Sequence, residues 1–318
     1  MLTLLKTSLC LSLGLGAAAF LAAAQGGAAR PGTVNYAEGQ VTLDGRLVSA
    51  KSLGSIEVSP GHVLHTGQGR AEMLLTPGAY LRLGENTEVR MVSPSLTDTR
   101  VELLNGEAMV EVDQISSDNR LVVTDHGADV RLLKNGVYRF TSQPLVAVYD
   151  GKAQVLEDDH AVEVGKGREL LLSQNAALKT QKFDRKQTDE LYAFSRLRSG
   201  YLSEASLSSA QALVNSPAPW WGYGLGWYWN PWFDSWAFLP GDGFFYNPFG
   251  FGFFSPGYVY YNPGLRYGYL PGRGFGGTRG VTGVRAVPGI RAPMGRGMTM
   301  GRMGGGMTMG RMGGGRGR

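Results

Sequence analysis

The chain has 318 residues, 48 of them glycine, and a formal net charge of +5. This length is enough for one sizeable core together with accessory regions. The charge is divided unevenly: residues 243–318 contain ten arginines and no lysine or acidic residue, so they carry +10, and residues 1–242 sum to −5. The division excludes a single compositional class for the whole chain, and the basic character describes only its C-terminal part.

Residues 1–24 have the pattern of a signal peptide. Lys6 supplies a short positive region, Leu9 to Ala24 is apolar, and the three alanines before Gln25 fit a small-residue cleavage site. We therefore predict export to the periplasm or cell surface of a bacterium, with an uncleaved N-terminal membrane anchor as the alternative. The only cysteine, Cys10, lies in this segment, so the mature chain would have no disulfide framework. No later stretch has the pattern of a transmembrane span.

After a short leader at residues 25–32, residues 33–173 predict an all-β domain. Short runs alternate apolar and polar residues between glycine-containing turns, which places the apolar positions of each run on one face of a strand. We predict more than a dozen short strands, arranged as a solenoid-like or roll-like domain or as a two-sheet sandwich. The alternation is densest in residues 61–89, at Ala71, Met73 and Leu75, at Ala79, Leu81 and Leu83, and then at Thr87, Val89 and Met91.

A series of motifs in this domain is similar to a known family. In chain order the motifs are GHVLHTG (Gly61–Gly67), RAEM (Arg70–Met73), PGAYLRL (Pro77–Leu83), NTEV (Asn86–Val89), LLNGEAMV (Leu103–Val110), VAVYDGKAQV (Val146–Val155) and GKG (Gly165–Gly167). The ordered set resembles the FecR domain, and the resemblance covers residues 33–173. FecR-type regulators carry a cytoplasmic anti-sigma segment, one membrane helix and a periplasmic FecR domain. Because nothing precedes the predicted signal peptide, the resemblance implies the extracytoplasmic module without the anti-sigma segment.

Residues 174–215 predict a linker followed by one or two short helices. Asp184 and Gln187 have the spacing of a capping box, Gly200 is expected to interrupt the helix, and Ser203 could cap a second piece. The helical section would cover an open end of the β domain or bind a partner. Its apolar edge would consist of Leu191, Phe194 and Leu197, and its charged edge of Arg185, Lys186, Arg196 and Arg198.

Residues 216–269 form an aromatic segment rich in glycine and proline. Because glycine and proline recur every few residues, we predict neither a long helix nor a regular strand there. Tryptophan and tyrosine faces suit sugar rings, polymer chains or a partner protein; alternatively, the segment folds back onto an apolar face of the β domain. The candidate partner contacts are all six tryptophans of the chain, Trp220, Trp221, Trp227, Trp229, Trp232 and Trp236.

Residues 270–318 form a tail of glycine, arginine and methionine, in which Gly297–Gly305 (GMTMGRMGG) recurs as Gly306–Gly314. Such low-complexity sequence has little to bury and is predicted to be largely disordered. Arginine without acidic residues binds polyanions, and export favours an envelope polymer or an anionic lipid over cellular nucleic acid. Cu(I) binding by the methionine pairs is a minor alternative. The candidate polyanion contacts are Arg296, Arg302, Arg311, Arg316 and Arg318.

No arrangement typical of a catalytic or metal site stands out in the sequence. The four histidines are scattered among turns, and no G-x-S-x-G, H-E-x-x-H or phosphate-loop motif occurs. We therefore expect no enzyme activity, cofactor or bound metal. The prediction is an exported FecR-like module that binds or acts as a scaffold at the cell envelope. The aromatic segment would be its contact surface, and the basic tail would bind anionic surfaces. Two alternatives stay open: a periplasmic signal-transduction component that works with a separate membrane or sigma/anti-sigma partner, and a polyanion-binding protein that acts through its Arg/Gly tail.

Overall fold

The computed structural model describes residues 29–116, 118–157, 160–172, 179–217 and 220–267. All of these residues belong to one compact unit, Met1–Pro271; a second unit, Gly272–Arg318, lies outside the described residues. The predicted signal peptide and basic tail also fall outside them.

The first fifteen strands, here called the β body, form one sheet organised around the long strand β3 (Val63–Leu74). One edge of β3 pairs with β1 (Val34–Leu43), which turns back into β2 (Arg46–Leu47). The other edge of β3 pairs with one arm of the sheet through its first residues and with a second arm through its last residues. The first arm contains β5 (Thr87–Pro94), β6 (Asp98–Asn105), β8 (Arg120–Asp125), β9 (Ala128–Leu132), β12 (Lys152–Glu157) and β13 (His160–Gly165). The second arm contains β4 (Ala79–Leu83), β7 (Ala108–Val112), β10 (Gly136–Phe140), β11 (Leu145–Asp150), β14 (Arg168–Leu171) and β15 (Gln181–Lys182).

The two arms share one apolar core. Val101 and Val123 of the first arm, Val110 and Val148 of the second, and Leu64 of β3 all belong to a single cluster of buried side chains. The apolar positions of the alternating runs predicted in residues 61–89 lie in the same cluster or are otherwise buried, so this part of the all-β prediction is confirmed. Burial of these side chains is the main source of stability for the β body.

The hydrogen-bonding pattern distinguishes between the predicted architectures. The strands form one continuous sheet, and the buried side chains of its two arms form one cluster, which agrees with the roll-like version of the prediction. A solenoid would stack equivalent strands of successive coils. Among the described strands only β6 and β8 pair in parallel, and the other pairs are antiparallel. The solenoid-like version of the prediction is therefore not supported.

Helix α1 (Glu190–Asn215) is a single helix of 26 residues, so the expectation of short pieces interrupted at Gly200 was wrong. The N-cap residue of the helix is Asp189 and not the expected Asp184. The Asp189 carboxylate accepts a hydrogen bond from the backbone N–H of Tyr192 at 2.8 Å. Gly200 allows a close approach instead: a Cβ atom built there would lie 3.0 Å from Cζ of Phe251. Gly200 therefore stays within the helix, and the ring of Phe251 packs against it.

The buried side of α1 also differs from the predicted apolar edge. Leu191 and Phe194 are buried, as expected, but Leu197 is 50% exposed and Arg198 is buried. The helix lies on the outer face of the second arm, with Leu191 and Phe194 against Met109 of β7, and not over an open end of the β body. An arginine turns inward because that face of the sheet carries acidic side chains.

The aromatic segment is folded in its described part. Glycine and proline separate short strands rather than preventing them, so the expectation that no regular strand forms was wrong. No helix within the described residues combines the length and the apolar character needed to cross a membrane. The elements are β16 (Gly226–Asn230), β17 (Ser235–Leu239), β18 (Phe244–Tyr246), β19 (Gly252–Phe254), α2 (Pro256–Tyr261) and α3 (Pro263–Arg266). Together with α1, residues 220–267 are called the cap below.

Candidate binding surface

Four charged side chains form a buried ion-pair network between the β body and the cap. Arg82 of β4 donates from Nε to Glu72 Oε2 at 2.8 Å and from Nη1 to Glu111 Oε2 at 2.6 Å. Arg198 of α1 completes the network, since its Nη2 donates to Glu72 Oε1 at 2.8 Å. Arg82, Glu72 and Glu111 have no exposed surface at all. The network joins three neighbouring strands to the helix that covers them.

The two guanidinium groups keep Glu72 ionised. Burial alone would raise the pKa of this carboxyl group, but the positive charges of Arg198 and Arg82 outweigh burial and lower the pKa to about 2. Burial works against the charged form of Arg82 as well, yet Glu111 and Glu72 raise its pKa. Glu72 and Arg82 therefore both carry their full charges at neutral pH.

Glu111 of β7 lies close to a further buried acidic residue, Asp113, which directly follows the strand. Glu111 Oε1 accepts hydrogen bonds from Ser199 Oγ of α1 at 2.7 Å and from Asn247 Nδ2 at 2.8 Å. The carboxyl oxygens of Asp113 accept no hydrogen bond from a donor within the described residues, and the group is buried. Burial and the nearby Glu111 raise the pKa of Asp113 well above its usual range. Asp113 is therefore held in its neutral form more easily than an ordinary aspartate.

Backbone groups of the cap are bound to the β body through one asparagine. The side chain of Asn35 accepts from the backbone N–H of Trp236 at 2.8 Å and donates to its carbonyl oxygen at 3.1 Å. The same Nδ2 donates to Glu72 Oε1 at 3.0 Å, and the indole Nε1 of Trp236 donates to the carbonyl oxygen of Gly54 at 2.7 Å. The cap is thus an integral part of the fold.

Perturbed pKa values often mark catalytic sites, but the ion-pair network has another role. Its groups are covered by the cap and their hydrogen bonds are directed at each other and at α1. A ligand in solution does not reach them in this structure. These hydrogen bonds hold the cap against the β body.

The structure places the predicted tryptophan contacts in two different environments. Trp227 and Trp236 are buried, the former against Tyr80 of β4 with ring centroids 5.1 Å apart. Trp229 is partly exposed, while Trp221 and Trp232 are 77% and 88% exposed. Trp220 lies in a short 3₁₀ turn with Trp221. Two of these rings therefore fold back onto the β body, as the second interpretation predicts, and others face solvent.

A groove of about 540 Å³ opens beside the exposed aromatic rings. Trp221, Tyr223, Tyr258 and Tyr261 contribute aromatic walls, and Asp242 is the single charged residue among those that line it. The volume is in the range of about 300–1,000 Å³ that is typical of small-molecule sites. Its further lining residues are Gly241, Gly243, Ser255, Pro256, Gly257 and Asn262.

Local hydrogen bonds hold the walls of this groove. Ser255 caps α2, since its Oγ accepts from the backbone N–H of Tyr258 at 3.1 Å, and its own N–H donates to the carbonyl oxygen of Gly243 at 2.9 Å. The side chain of Asn262 donates to the carbonyl oxygen of Tyr258 at 2.7 Å. The ring of Tyr258 is further fixed by Phe244, at a centroid distance of 4.7 Å. The groove is therefore built on short but capped elements.

The other candidate residues from the sequence are the tail arginines and the histidines. Arg296, Arg302, Arg311, Arg316 and Arg318 lie outside the described residues. No group of three or more histidine, cysteine, aspartate or glutamate side chains that could ligate a metal ion occurs in the part of the chain that the structure describes. His62 contacts the carboxylate of Asp44, and His65 lies 4.0 Å from Glu88.

Sequence reasoning missed the ion-pair network and the polar residues of the groove. Glu72 and Arg82 lie at positions opposite the apolar alternation, which normally face solvent on a two-layer sheet. One signal was present: they carry opposite charges, and the two residues are direct cross-strand neighbours in the register. Nothing in the sequence indicated that Asp242 and Asn262 would line the same groove as Trp221.

The β body matches a known protein family. Residues 62–154 match the family model described as FecR protein. The match covers the centre of the sheet, from β3 to β12, and confirms the resemblance predicted from the motifs. Residues 62–154 are therefore a FecR-like part of the β body.

Two solved structures resemble part of the chain. Both are crystal structures of a proposed anti-sigma factor from Parabacteroides distasonis, one at 2.50 Å resolution with 18% identity and a TM-score of 0.34, and one at 1.65 Å with 16% identity and a TM-score of 0.35. The similarity covers 39% and 43% of this chain, and 61% and 65% of those chains. The chain thus spans less than two thirds of either neighbour. No curated protein matches the chain.

Proposed function

We propose that the chain is a non-enzymatic, exported binding module of the cell envelope, in which the FecR domain is a rigid platform and the cap is the contact surface. The observation that carries this proposal is the division of the aromatic segment. Trp236 is buried and hydrogen-bonded to the β body, while Trp221 and Trp232 are exposed. Exposed aromatic side chains on a rigid support lose little conformational entropy when they bind, which is why such residues dominate many interfaces.

The geometry of the β16–β17 hairpin supports this role for Trp232. The Oδ1 atom of Asn230 accepts from the backbone N–H groups of Trp232 at 3.0 Å and Phe233 at 3.3 Å. The Nδ2 atom of Asn230 donates to the carbonyl oxygen of Ala205 in α1 at 3.0 Å. The side chain of Asn230 therefore fixes the turn that carries Trp232 to α1, while the indole ring of Trp232 itself is exposed to solvent.

The experiment is retention of the mature protein on envelope fractions, compared between wild type and a Trp221→Ala/Trp232→Ala variant. The proposal requires that the double variant is retained several-fold less. A matched control is Leu47→Ala, which removes an exposed apolar side chain, 71% accessible, from strand β2 of the body. Equal retention of all three proteins would contradict the proposal. A repeat at high salt separates the cap from the basic tail, because polyanion binding by arginines weakens steeply with salt.

A signalling role is the second candidate, and the FecR match at residues 62–154 favours it. In this version the cap passes a periplasmic stimulus to a separate membrane or sigma/anti-sigma partner. Crosslinking in whole cells through a photoreactive residue at position 232, followed by identification of the crosslinked species, distinguishes the two. A membrane signalling protein supports this candidate, and crosslinking only to envelope polymer rejects it.

A further inference from the structure

The groove beside Trp221 carries an inference about the ligand, which rests on the proposed function of the cap. We propose that this groove binds an uncharged pyranose chain of an envelope polysaccharide. A pyranose ring has an apolar face of C–H groups and a rim of hydroxyl groups. A site for it therefore needs flat aromatic walls together with a small number of polar atoms directed at the rim.

The walls satisfy the first requirement. Trp221 and Tyr261 are 77% and 76% exposed, so their ring faces are accessible from the groove side. Tyr223 is less exposed, at 39%, and Tyr258 is half-buried and held by stacking on Phe254 at an interplanar angle of 23°. Two accessible rings and two supported rings within one groove give space for more than one sugar unit, in keeping with its volume of about 540 Å³.

The polar atoms of the groove satisfy the second requirement because they include hydrogen-bond acceptors. Asp242 uses Oδ1 to accept from the backbone N–H of Gly243 at 2.7 Å, and its Oδ2 accepts no bond among the described residues. Asn262 donates through Nδ2 to the carbonyl oxygen of Tyr258, which leaves its Oδ1 as an acceptor. Carbohydrate hydroxyl groups donate hydrogen bonds to such atoms.

The charge of the groove decides between neutral and acidic sugars. Asp242 is the single charged residue among the lining residues, and it is negative. A uronic acid or a sulfated sugar would be repelled by this carboxylate, and the described residues of the lining include no arginine or lysine to compensate. The cap therefore selects uncharged chains, in contrast to the polyanion expected for the arginine-rich tail.

The test is calorimetric titration of the mature protein with two neutral hexasaccharides, cellohexaose and N-acetylchitohexaose, and with an acidic one, oligogalacturonate. We expect binding of at least one neutral chain, and a loss of about tenfold or more in its affinity for Trp221→Ala, the size of effect typical of a central aromatic contact. Binding of the acidic chain to the arginine-rich tail is expected to weaken steeply with salt and to be unchanged in Trp221→Ala. Asp242→Asn should reduce the discrimination against oligogalacturonate. Leu47→Ala should bind like wild type, and unchanged circular dichroism of each variant shows that it is folded.

Several outcomes would overturn the inference: no binding of either neutral chain, binding of oligogalacturonate that is weakened by Trp221→Ala, unchanged affinity of Trp221→Ala for the neutral chains, or competition by a proline-rich decapeptide at the same site. The result also separates this inference from the proposed function. If Trp221→Ala/Trp232→Ala loses envelope retention while no hexasaccharide binds, the binding module stands and the pyranose ligand is rejected. If hexasaccharides bind but envelope retention does not depend on the tryptophans, the ligand stands and the proposed role of the surface fails.

Discussion

Arg198 of α1 and Glu72 of β3 are 126 positions apart in the sequence, and Nη2 of the arginine donates to Oε1 of the glutamate at 2.8 Å. Glu72 is fully buried and Arg198 is 6% exposed. The same guanidinium lies 4.5 Å above the ring of Tyr36 in β1. Formation of this contact requires that the β body and the cap are both folded, so it couples their stabilities.

Replacement of Arg198 by methionine is expected to destabilise the protein strongly. Methionine fills much of the space but leaves Glu72 with one guanidinium instead of two. Removal of one partner from a buried ion pair typically costs about 3–5 kcal/mol, because the remaining charge stays buried without full compensation. Here Arg82 and Asn35 still bond to Glu72, so we expect the lower end of that range. The measurement is urea-induced unfolding followed by tryptophan fluorescence.

The matched control for this variant is Arg196→Met, two residues earlier on the same helix. Arg196 is on the exposed side of α1, and its guanidinium lies 5.5 Å from the ring of Phe251. Exposed cation–π contacts contribute only about 0.5–1 kcal/mol. If Arg198→Met and Arg196→Met lower the free energy of unfolding equally, the ion-pair network does not couple the cap to the β body.

Asp113→Asn is expected to stabilise the protein at neutral pH and to reduce the pH dependence of its stability. The raised pKa of Asp113 means that the folded state binds a proton which the unfolded state has released above pH of about 4. The stabilisation from this proton is complete below the unfolded pKa and is lost as the pH rises through the folded pKa. Asparagine mimics the neutral acid and has no such loss. Unfolding free energies between pH 5 and pH 8 check the difference.

The control for the pH series is Glu85→Gln, which removes an exposed carboxylate in the turn between β4 and β5. Its stability curve should run parallel to that of wild type. Below pH 4.5 a second effect takes over in all of these proteins, because the lowered pKa of Glu72, about 2, makes stability fall as that carboxylate is protonated. An Asp113→Asn curve parallel to wild type between pH 5 and pH 8 would contradict the assignment.

The interior of the β body was predictable from the sequence because its side chains follow a strict period of two. Leu81 and Val110, for example, are apolar positions in alternating runs, and both are fully buried in the shared core. The outer face of the second arm was not predictable in the same way. Arg82 alternates with these residues and therefore has the pattern of a solvent-exposed position, yet it has no accessible surface.

The reason is that burial of Arg82 depends on a segment more than a hundred residues later. Alternation within a strand describes one sheet and one core, and it contains no information on a second layer that covers the other face. The aromatic rings of the cap show that composition, like alternation, does not predict which side chains are buried. Trp221 and Trp227 are of one residue type and six positions apart, but 77% of one and 8% of the other is accessible. Composition identified the aromatic segment, and only tertiary packing separates its contact surface from its core.

Asn35→Ala should loosen the cap locally while the β body stays folded. The substitution removes the hydrogen bonds of Asn35 to the backbone of Trp236 and to Glu72. A buried N–H left without its acceptor costs about 1–3 kcal/mol. We expect faster hydrogen–deuterium exchange in β17 than in wild type, with little change in β7. The control is Asn105→Ala, which removes one long, exposed bond of 3.5 Å to the carbonyl oxygen of Asn86. Equal exchange in β17 for both variants would show that Asn35 does not anchor the cap.

Gly54→Ala should destabilise the protein more than Gly45→Ala, although both glycines have a positive φ, 75° and 76°. The backbone strain of an alanine in this conformation, about 1–2 kcal/mol, is common to both variants. A Cβ atom at Gly45 meets nothing within 4 Å, whereas at Gly54 it would lie 2.3 Å from Cζ3 of Trp229. Relief of that overlap moves Trp229 away from Trp236, whose ring centroid is 5.5 Å from it. We therefore expect an additional cost of about 1–3 kcal/mol, typical of overpacking, in thermal or urea unfolding. Equal losses of unfolding free energy in the two variants would show that Trp229 of the cap does not pack against Gly54 in solution.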